Sequence, residues 1–552
     1  MAEVFSEECN EFDSMGRCRD VIYGAIRMDS LCRTLISTPE FQRLKDIKQL
    51  DHLYLMFKNA THTRYEHCIG TSYLCGKYYD ELIKHSNQPL GMNEEEIRQY
   101  RRCVVIAGLL HDIGHCVLGH SYPTYVKNCT NQEPIEHETM GILIFKRLLE
   151  REDISRVFYS RKLIAEASAR DGCHLSFIDY ICMMIAGKKK LLPKEMEGKW
   201  DAIPNDKKWL FQIVSNERNG IDMDRVDYLL RDSKYTGIKE SVNYERILRK
   251  ACICNYNGES IICFKKDAVN DLIGLFQSRR AFYNYTCNHR DNQIAEYMIL
   301  NALQKAEENG FGFQVSRPSR LVVNDHVILA QAFEIMKNSM NPDDWKSIEA
   351  LKREYKTNGL LSNGCVPLSS AWKCLDVYLQ ATDGFIEQLK ESTEEEFYEA
   401  RQLLHRVDEG LFYTCVGEIV LNSPRIVKSP TGGKKRVNGH YHYDRERTVK
   451  YVTDEVNKLI KEKKWPIGTG DVIIDCALVS NGQGENNPFD SILFCDDANT
   501  VGPYDEYSMS TGYSPVHQDV VVRFYSRTSE HDGYWNGVFT MWRMEKHPNK
   551  GA

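Results

Sequence analysis

No apolar run in this chain approaches the ~20 residues that carry a helix across a bilayer. The stretch Cys103–Leu110, interrupted by one glycine, falls well short. The opening segment MAEVFSEECNEFD is acidic and lacks the apolar centre of a secretion signal. Positive charge is not in excess either. The 71 Lys and Arg stand against 78 Asp and Glu, giving a net charge of −7. That balance argues against a dedicated duplex-DNA binder, although local phosphate pockets remain compatible with it. There is no internal repeat. The 19 cysteines form no paired zinc spacings, and Cys252-x-Cys254 alone is weak evidence for metal. They read as reduced core thiols of an intracellular protein, cytoplasmic and/or nuclear, with no membrane partner. With 42% hydrophobic and 27% charged residues, the chain is globular rather than disordered.

The length of 552 residues allows ~3 to 4 domains. Residues 1–20 read as a polar leader. Residues 21–320 read as a mainly helical domain. In it, Ser37-Thr38-Pro39-Glu40 offers a cap for a helix over Phe41–Leu50, and further helices are expected over Glu94–His115 and Asp222–Leu230. Residues 321–552 change texture. Helical patterns are followed by a basic loop at about 421–448 and then by the β-rich runs DVIIDCALVS, SILFCDD and VVVRFYS. The expected class is mainly α, with a smaller α+β C-terminal lobe.

Eight of the 17 histidines fall between His52 and His137, about three times an even distribution. Imidazole both ligates metals and titrates near neutrality, so such clustering suits a metal or acid/base site. The segment A-G-L-L-His111-Asp112-Ile-Gly-His115-Cys-Val-Leu-Gly-His120 ends a very apolar helix with two ligand-type groups, and a divalent cation offsets the cost of burying them. On a continuous helix His115 would lie one turn beyond His111, on the same face. Upstream stands Arg64-Tyr65-Glu66-His67; downstream, Gly220-Ile-Asp222-Met-Asp224-Arg225-Val-Asp227-Tyr228 adds carboxylates. Two imidazoles with two carboxylates suit a transition metal rather than a thiolate-rich structural zinc site.

The order His…His-Asp…Asp, together with TPEFQRLKDIKQL, THTRYEHCIG, IAGLLHDIGH, IEHETMG and NGIDMDRVDYLLRDS, resembles the HD phosphohydrolase superfamily. Within it, the likeness is to the vertebrate deoxynucleoside triphosphate triphosphohydrolases that carry an HD domain behind a SAM domain. It covers roughly residues 17–545, and no room is expected here for a SAM domain. The resemblance implies an HD helical core and hydrolysis of dNTPs to deoxynucleoside and triphosphate, so controlling dNTP levels. It implies that His67, His111, Asp112 and Asp224 hold Zn, Fe or Mn, with Mg accompanying the nucleotide. Arg64, His120, Arg225 and Arg279 would contact phosphates, and His115, His137 and Glu138 would supply acid/base function. Tyr228 would lie against the sugar, and Gln49 and Asp232 would read its 3′-hydroxyl. Leu50, with Tyr283 and Cys287 nearby, would govern exclusion of a ribose 2′-hydroxyl.

The chain departs from the family pattern in three places. A carboxylate that orients the second histidine of the HD helix is replaced by Pro123, which weakens the base role implied for His115. Cys287 stands where the family has a tyrosine, which predicts looser discrimination against ribonucleotides. Ser37 and Lys45 occupy positions where the family uses an aspartate and an arginine to read an activating guanine. Positive charge survives at Arg17, Arg19, Arg43, Arg246, Lys265 and Arg290, with Gln42 and His289 alongside, while Asp267 reverses one such position. The resemblance therefore implies a dimer or tetramer whose activity follows nucleotides without a specific demand for GTP. Two rivals stand beside this reading. One is an HD phosphodiesterase acting on a signalling nucleotide. The other is a catalytically weak nucleotide or single-stranded nucleic-acid binder, suggested by the basic segment Arg425–Arg447 with its interleaved tyrosines.

Overall fold

Residues 16–86, 90–170, 172–314, 365–422, 426–428, 434–436, 445–480, 488–496, 501–503 and 518–546 are described in the computed structural model of the chain. Most of the expected leader and most of the basic segment, with tyrosines 441 and 443, lie outside them.

Helices dominate the first half. Helix α1 (Arg64–Lys84) packs along α2 (Glu94–Leu110). The start of α2 is fixed by a reciprocal capping box: Asn93 accepts from the Glu96 amide, and the Glu96 carboxylate accepts from the Asn93 amide. Its last turns, from Cys103 through Leu110, are almost entirely buried. Around this pair lie α3 (His137–Leu149), α4 (Met223–Thr236), α5 (Val269–Tyr285) and α6 (Arg290–Glu308). The shared apolar core runs from Ile26 to Phe494. It includes residues 366–407, which come after the expected boundary at 320.

Between α4 and α5 the chain forms a hairpin of β1 (Ala251–Tyr256) and β2 (Glu259–Lys265). Two further pieces complete a smaller lobe. Strands β3 (Thr414–Asn422), β4 (Val472–Ser480) and β7 (Gln518–Ser526) form an antiparallel sheet in the order β4-β7-β3. Helices α7 (Arg445–Lys463) and α8 (Asp532–Lys546) cover it through a separate core that contains Val452, Val456, Trp535 and Trp542. Strands β5 (Leu493–Cys495) and β6 (Val501–Pro503) instead extend the β1–β2 hairpin, β5 running parallel to β2. The chain is thus a mainly helical core with an α+β lobe.

Three local expectations are corrected. The helix expected over Phe41–Leu50 is one capped turn, Pro39–Gln42, followed by a 3-10 turn to Asp46; Thr38 supplies the cap to the Phe41 amide at 3.3 Å. Helix α2 stops at Leu110, so His111–Gly114 form a turn and His115 does not follow on the same helix face. The turn is held from outside. Arg43 donates to the Ile113 carbonyl at 2.6 Å, and Tyr378 donates to the Gly114 carbonyl at 2.6 Å. The segment expected as a basic loop begins inside β3, contains a short antiparallel pairing of 426–428 with 434–436, and ends in α7.

Gly114 is needed where it stands: a Cβ there would sit 1.9 Å from the His137 carbonyl oxygen. That close approach seats the turn on the N-terminus of α3. Farther along, Leu118 adopts φ +70° and Gly119 φ +45°. A buried leucine in the left-handed region is a strained backbone, and strain of this kind is held where the surrounding structure over-determines it. The kink sends His120 back toward the same region as His115 and His137.

Candidate metal centre and nucleotide cavity

Five side chains from three elements converge. Arg64 and His67 lie in the first turn of α1, His111 and Asp112 in the turn after α2, and Asp224 in the first turn of α4. Helix α4 begins where it does because Asp222 caps it, accepting from the Arg225 amide at 3.0 Å. The Nε2 atoms of His67 and His111 are 3.2 Å apart. Asp224 Oδ1 is 3.1 Å from the first and 3.4 Å from the second, and Asp112 Oδ1 is 3.4 Å from His111 Nε2. Donors bound at about 2.0–2.2 Å to one ion lie about 3 Å apart, so the spacing fits a shared cation.

The tautomers agree with this fit. His67 Nδ1 donates to Asp227 Oδ2 at 2.7 Å, and His111 Nδ1 donates to the Gly108 carbonyl at 2.9 Å. Both Nε2 atoms are therefore turned toward one another and toward carboxylates. Such a contact needs a proton or a cation between the groups. Burial alone would favour a neutral His67 ring, but hydrogen bonds and charge from Asp224 and Asp227 outweigh it and raise its pKa to about 10. With protons as the only bridge, His67 takes a second one and shares it with Asp224. A divalent cation replaces that proton, so metal and acid compete for the site.

Asp227 is itself fixed. It accepts from Arg231 Nε at 2.9 Å and from Tyr23 Oη at 2.8 Å, and Arg231 Nη1 also pairs with Asp20 at 2.9 Å. Both Asp227 and Arg231 are fully buried. Gly70 makes room, since a Cβ there would lie 2.1 Å from Asp227 Oδ1.

A cavity of about 610 Å³ opens above the four donors. His111, Asp112 and Asp224 line it, while His67 lies behind them. All of the sequence-predicted substrate residues line it as well: Gln49, Leu50, Arg64, His120, Arg225, Tyr228, Asp232, Arg279, Tyr283 and Cys287. Arg64 pairs with Asp112 at 2.6 Å, leaving its Nε and Nη2 without a partner; Nε and Nη1 of Arg225 are also without one. These are buried donors among the described residues, in a wall suited to an anion. Arg279 donates to Tyr228 Oη at 3.2 Å and to the Ser480 carbonyl at 3.1 Å, and lies over the Tyr283 ring. Asp232 accepts from His62 at 2.7 Å, and the Gln49 side-chain oxygen has no partner.

His115, His120 and His137 form a second cluster. His115 stacks on His137 with ring centroids 3.9 Å apart, and His120 stands edge-on to both. Burial, reinforced by Arg64 and the neighbouring rings, pushes His115 well below the ordinary imidazole range; burial and His120 lower His137 to about 3. Both are neutral near pH 7. Glu138, beside His137, moves the other way. Burial, with added repulsion from Glu136 and Asp112, raises it to about 7. Pro123 sits in the first turn of the helix Tyr122–Thr130, and His115 Nε2 has no hydrogen-bond partner among the described residues, lying 3.5 Å from Asp112 Oδ1. Stacking, rather than a carboxylate, holds that ring.

None of the residues expected at an activating-nucleotide site lines this cavity. Arg17 and Arg19 are exposed on a short hairpin strand. Arg43 is buried on the Ile113 carbonyl. Gln42 donates to the Ile36 carbonyl, and Lys45 bonds Gln42 and lies over the Tyr65 ring. Arg246 pairs with Asp271 and Asp267, His289 caps α6, and Arg290 lies beside Asp291. Lys265 ends β2.

Residues 64–183 match the HD domain family. The chain is 26% identical over 486 residues to the deoxynucleoside triphosphate triphosphohydrolase SAMHD1 of Gallus gallus, covering 87% of this chain and 67% of that protein. It is 27% identical to the Homo sapiens protein of the same name, covering 87% of this chain and 65% of that one. The chain thus carries an HD domain and is similar to SAMHD1 proteins over most of its length. A SAMHD1 homolog of Dictyostelium discoideum, 29% identical, covers 52% of this chain and 49% of its own length. The match thus spans about two thirds of the vertebrate relatives. HD domains of this family bind a divalent metal, in keeping with the donor set here.

Sequence reasoning assigned no role to Tyr23, Arg231 or His62, and left Asp227 as one carboxylate among several. It also passed over Asp51 and Glu296, and took Arg445 only as part of the basic segment; all three line the cavity. Tyr23 is 204 residues from Asp227, and nothing local marks the pair. The Asp227–Arg231 spacing of four on one helix was the available signal. Asp227→Asn should keep the shape while weakening control of the His67 tautomer. Its Mn²⁺ affinity, measured by calorimetric titration, should fall about 10- to 100-fold with the circular dichroism spectrum unchanged. Wild-type affinity in this variant would contradict the assigned role.

Proposed function

We propose that the chain is a metal-dependent triphosphohydrolase that cleaves dNTPs to deoxynucleoside and inorganic triphosphate. The observation that carries this reading is the convergence of His67, His111, Asp112 and Asp224 beneath a cavity lined by Arg64 and Arg225, each with two guanidinium nitrogens that have no partner among the described residues. A divalent Zn, Fe or Mn held by those four residues would polarise a phosphoryl oxygen and favour ionisation of water, with Mg accompanying the nucleotide.

The remaining work falls to side chains. Arg64 and Arg225 neutralise and orient phosphates through planar forks, and neutral His120 can donate a hydrogen bond to them. Arg279, fixed by Tyr228 and Ser480, holds the sugar-side wall against Tyr283. Gln49 offers an acceptor and Asp232 a carboxylate to the 3′-hydroxyl. Cleavage at the α-phosphorus must deliver a proton to the departing 5′-oxygen. Glu138, partly protonated near neutral pH, can hold that proton, and neutral His137 and His115 can accept one. Leu50 and Cys287 bound the 2′ side, where a thiol fills less space than a ring. The chain acts as a homodimer or homotetramer and answers to nucleotides without requiring guanine, because Ser37 and Lys45 do not supply the acceptor and fork that guanine reading needs.

Pure protein incubated with Mn²⁺ and each dNTP should release inorganic triphosphate, with or without added GTP. His111→Ala and Asp112→Ala should lose both metal and activity. Absence of turnover with every dNTP under every metal tested would sink the proposal, and a nucleoside monophosphate product would point to a phosphodiesterase.

The acid assigned to Glu138 has a pH signature. Its protonated form is required, and its pKa of about 7 means that form disappears as pH rises. The kcat should therefore fall through pH 7 and above. Glu138→Gln should cut kcat by about 100-fold and abolish that limb. A variant that retained the same limb would remove Glu138 from the role.

A further inference from the structure

A second, smaller pocket of about 120 Å³ lies against α1 and shares no lining residue with the nucleotide cavity. Successive residues of a helix turn by ~100°, so Ile69, Ser72, Tyr73 and Gly76, which floor this pocket, stand across α1 from His67. A Cβ at Gly76 would come 3.0 Å from Val105 and 3.3 Å from Arg101 Nη2, so the glycine lets the floor meet α2 closely. Five guanidinium groups surround that floor. Arg27 ends the strand Gly24–Arg27, Arg98, Arg101 and Arg102 belong to α2, and Arg161 follows the helix Glu152–Ser160. Spacings of three and four residues put the α2 arginines on one face. The single carboxylate in the lining, Asp29, is already engaged as a helix cap, accepting from the Cys32 amide at 2.8 Å. Carboxylates outside the lining offset two of the cations: Arg101 bonds Asp80 at 2.7 and 2.8 Å, and Arg98 pairs with Glu95 at 2.9 Å. Arg161 donates to Ser30 Oγ at 2.9 Å. Arg27 and Arg102 form no ion pair among the described residues.

We propose that this pocket binds the phosphates of an oligophosphate anion, either inorganic triphosphate or the tail of a nucleotide. Like charges gathered around one small space repel, and an anion seated among them relieves that repulsion. Guanidinium is the side chain whose planar fork matches phosphate oxygens, and five of them converge here in a chain whose net charge is −7. Size narrows the ligand. Sites that enclose a whole small molecule usually offer at least ~300 Å³, so this pocket admits phosphoryl groups and leaves a base and sugar outside. Shape narrows it further. The arginines come from three segments onto one spot and have no row of bases or aromatic platforms to follow, which suits a compact polyanion better than a nucleic-acid strand. No bond is made or broken in the pocket, and binding asks nothing of the metal centre. An occupant would tie Arg27 and Arg161 to α2, the helix that leads into His111 and Asp112.

The test is calorimetric titration of the full chain with inorganic triphosphate at low salt. Two binding events per chain are expected, one in the nucleotide cavity and one here. Arg27→Gln with Arg102→Gln should weaken the second by at least about 100-fold, ~10-fold or more for each charged hydrogen bond lost, with the circular dichroism spectrum unchanged. Arg225→Ala should weaken only the first. If the double variant does not fold, Arg102→Gln alone should show a loss of about 10-fold. A dNTP analogue that cannot be cleaved at the α-phosphorus separates the two sources. Competition with triphosphate for the second event assigns the pocket to nucleotide tails, and lack of competition assigns it to the free anion. A single event removed by the double variant but not by Arg225→Ala would uphold this pocket while failing the catalytic reading. The proposal is overturned if the double variant binds triphosphate as the wild type does, or if the only event is the one removed by Arg225→Ala. It is also overturned if a single-stranded oligonucleotide, and no oligophosphate, binds in a manner that the double variant abolishes.

Discussion

The hydrogen bond from His67 Nδ1 to Asp227 is the constraint on which the rest depends. It decides which ring nitrogen of His67 faces His111 and Asp224. A free ring could present either nitrogen, and its donor geometry would be lost. Asp227 can impose the choice only because Arg231, itself held by Asp20, and Tyr23 compensate its burial. Gly70 lets α4 come close enough for the contact. The metal centre is therefore a consequence of how α1 and α4 pack, and the cavity above it inherits that geometry.

The charges around the centre are arranged in opposition. Four carboxylate and imidazole donors gather at the base, while Arg64 and Arg225 turn unpartnered nitrogens into the wall. The three clustered histidines stay neutral because burial and Arg64 oppose their protonation. Burial also raises Glu138, with added repulsion from Glu136 and Asp112. Opposite shifts in adjacent groups are the usual mark of an acid and a base set apart by their surroundings. The α+β lobe also reaches the cavity. Ser480 accepts from Arg279, and Arg445 bonds Gln293 and Asp475 at the rim. Closure of the cavity thus involves segments more than a hundred residues from the histidine cluster in sequence.

Much of the site was legible in sequence because its chemistry is concentrated in short blocks. The His-Asp pair at the end of an apolar helix signalled a buried cation site. The helix expected from Asp222, with Asp224 among its carboxylates, was equally readable. The helix end was not. Periodicity carried α2 through His115, but Arg43 and Tyr378, both remote in sequence, capture the carbonyls of the following turn. The bracing of His67 was hidden for the same reason, since Tyr23 and Asp20 act across the fold. The β-rich runs near the C-terminus were evident as strands, yet their pairing was not. That SILFCDD joins β2 on one side, and β6 on the other, rather than the sheet of β4 and β7 depends on parallel register, which a single strand does not encode.

The account rests most directly on which atoms hold the metal. A crystal of the protein grown with Mn²⁺ and measured for anomalous scattering would locate it. The expected peak lies within bonding distance of Nε2of His67, Nε2 of His111 and one carboxylate oxygen each of Asp112 and Asp224, with His67 Nδ1 still on Asp227. A peak held instead by His115, His120 and His137, or bonded through His67 Nδ1, would contradict the account.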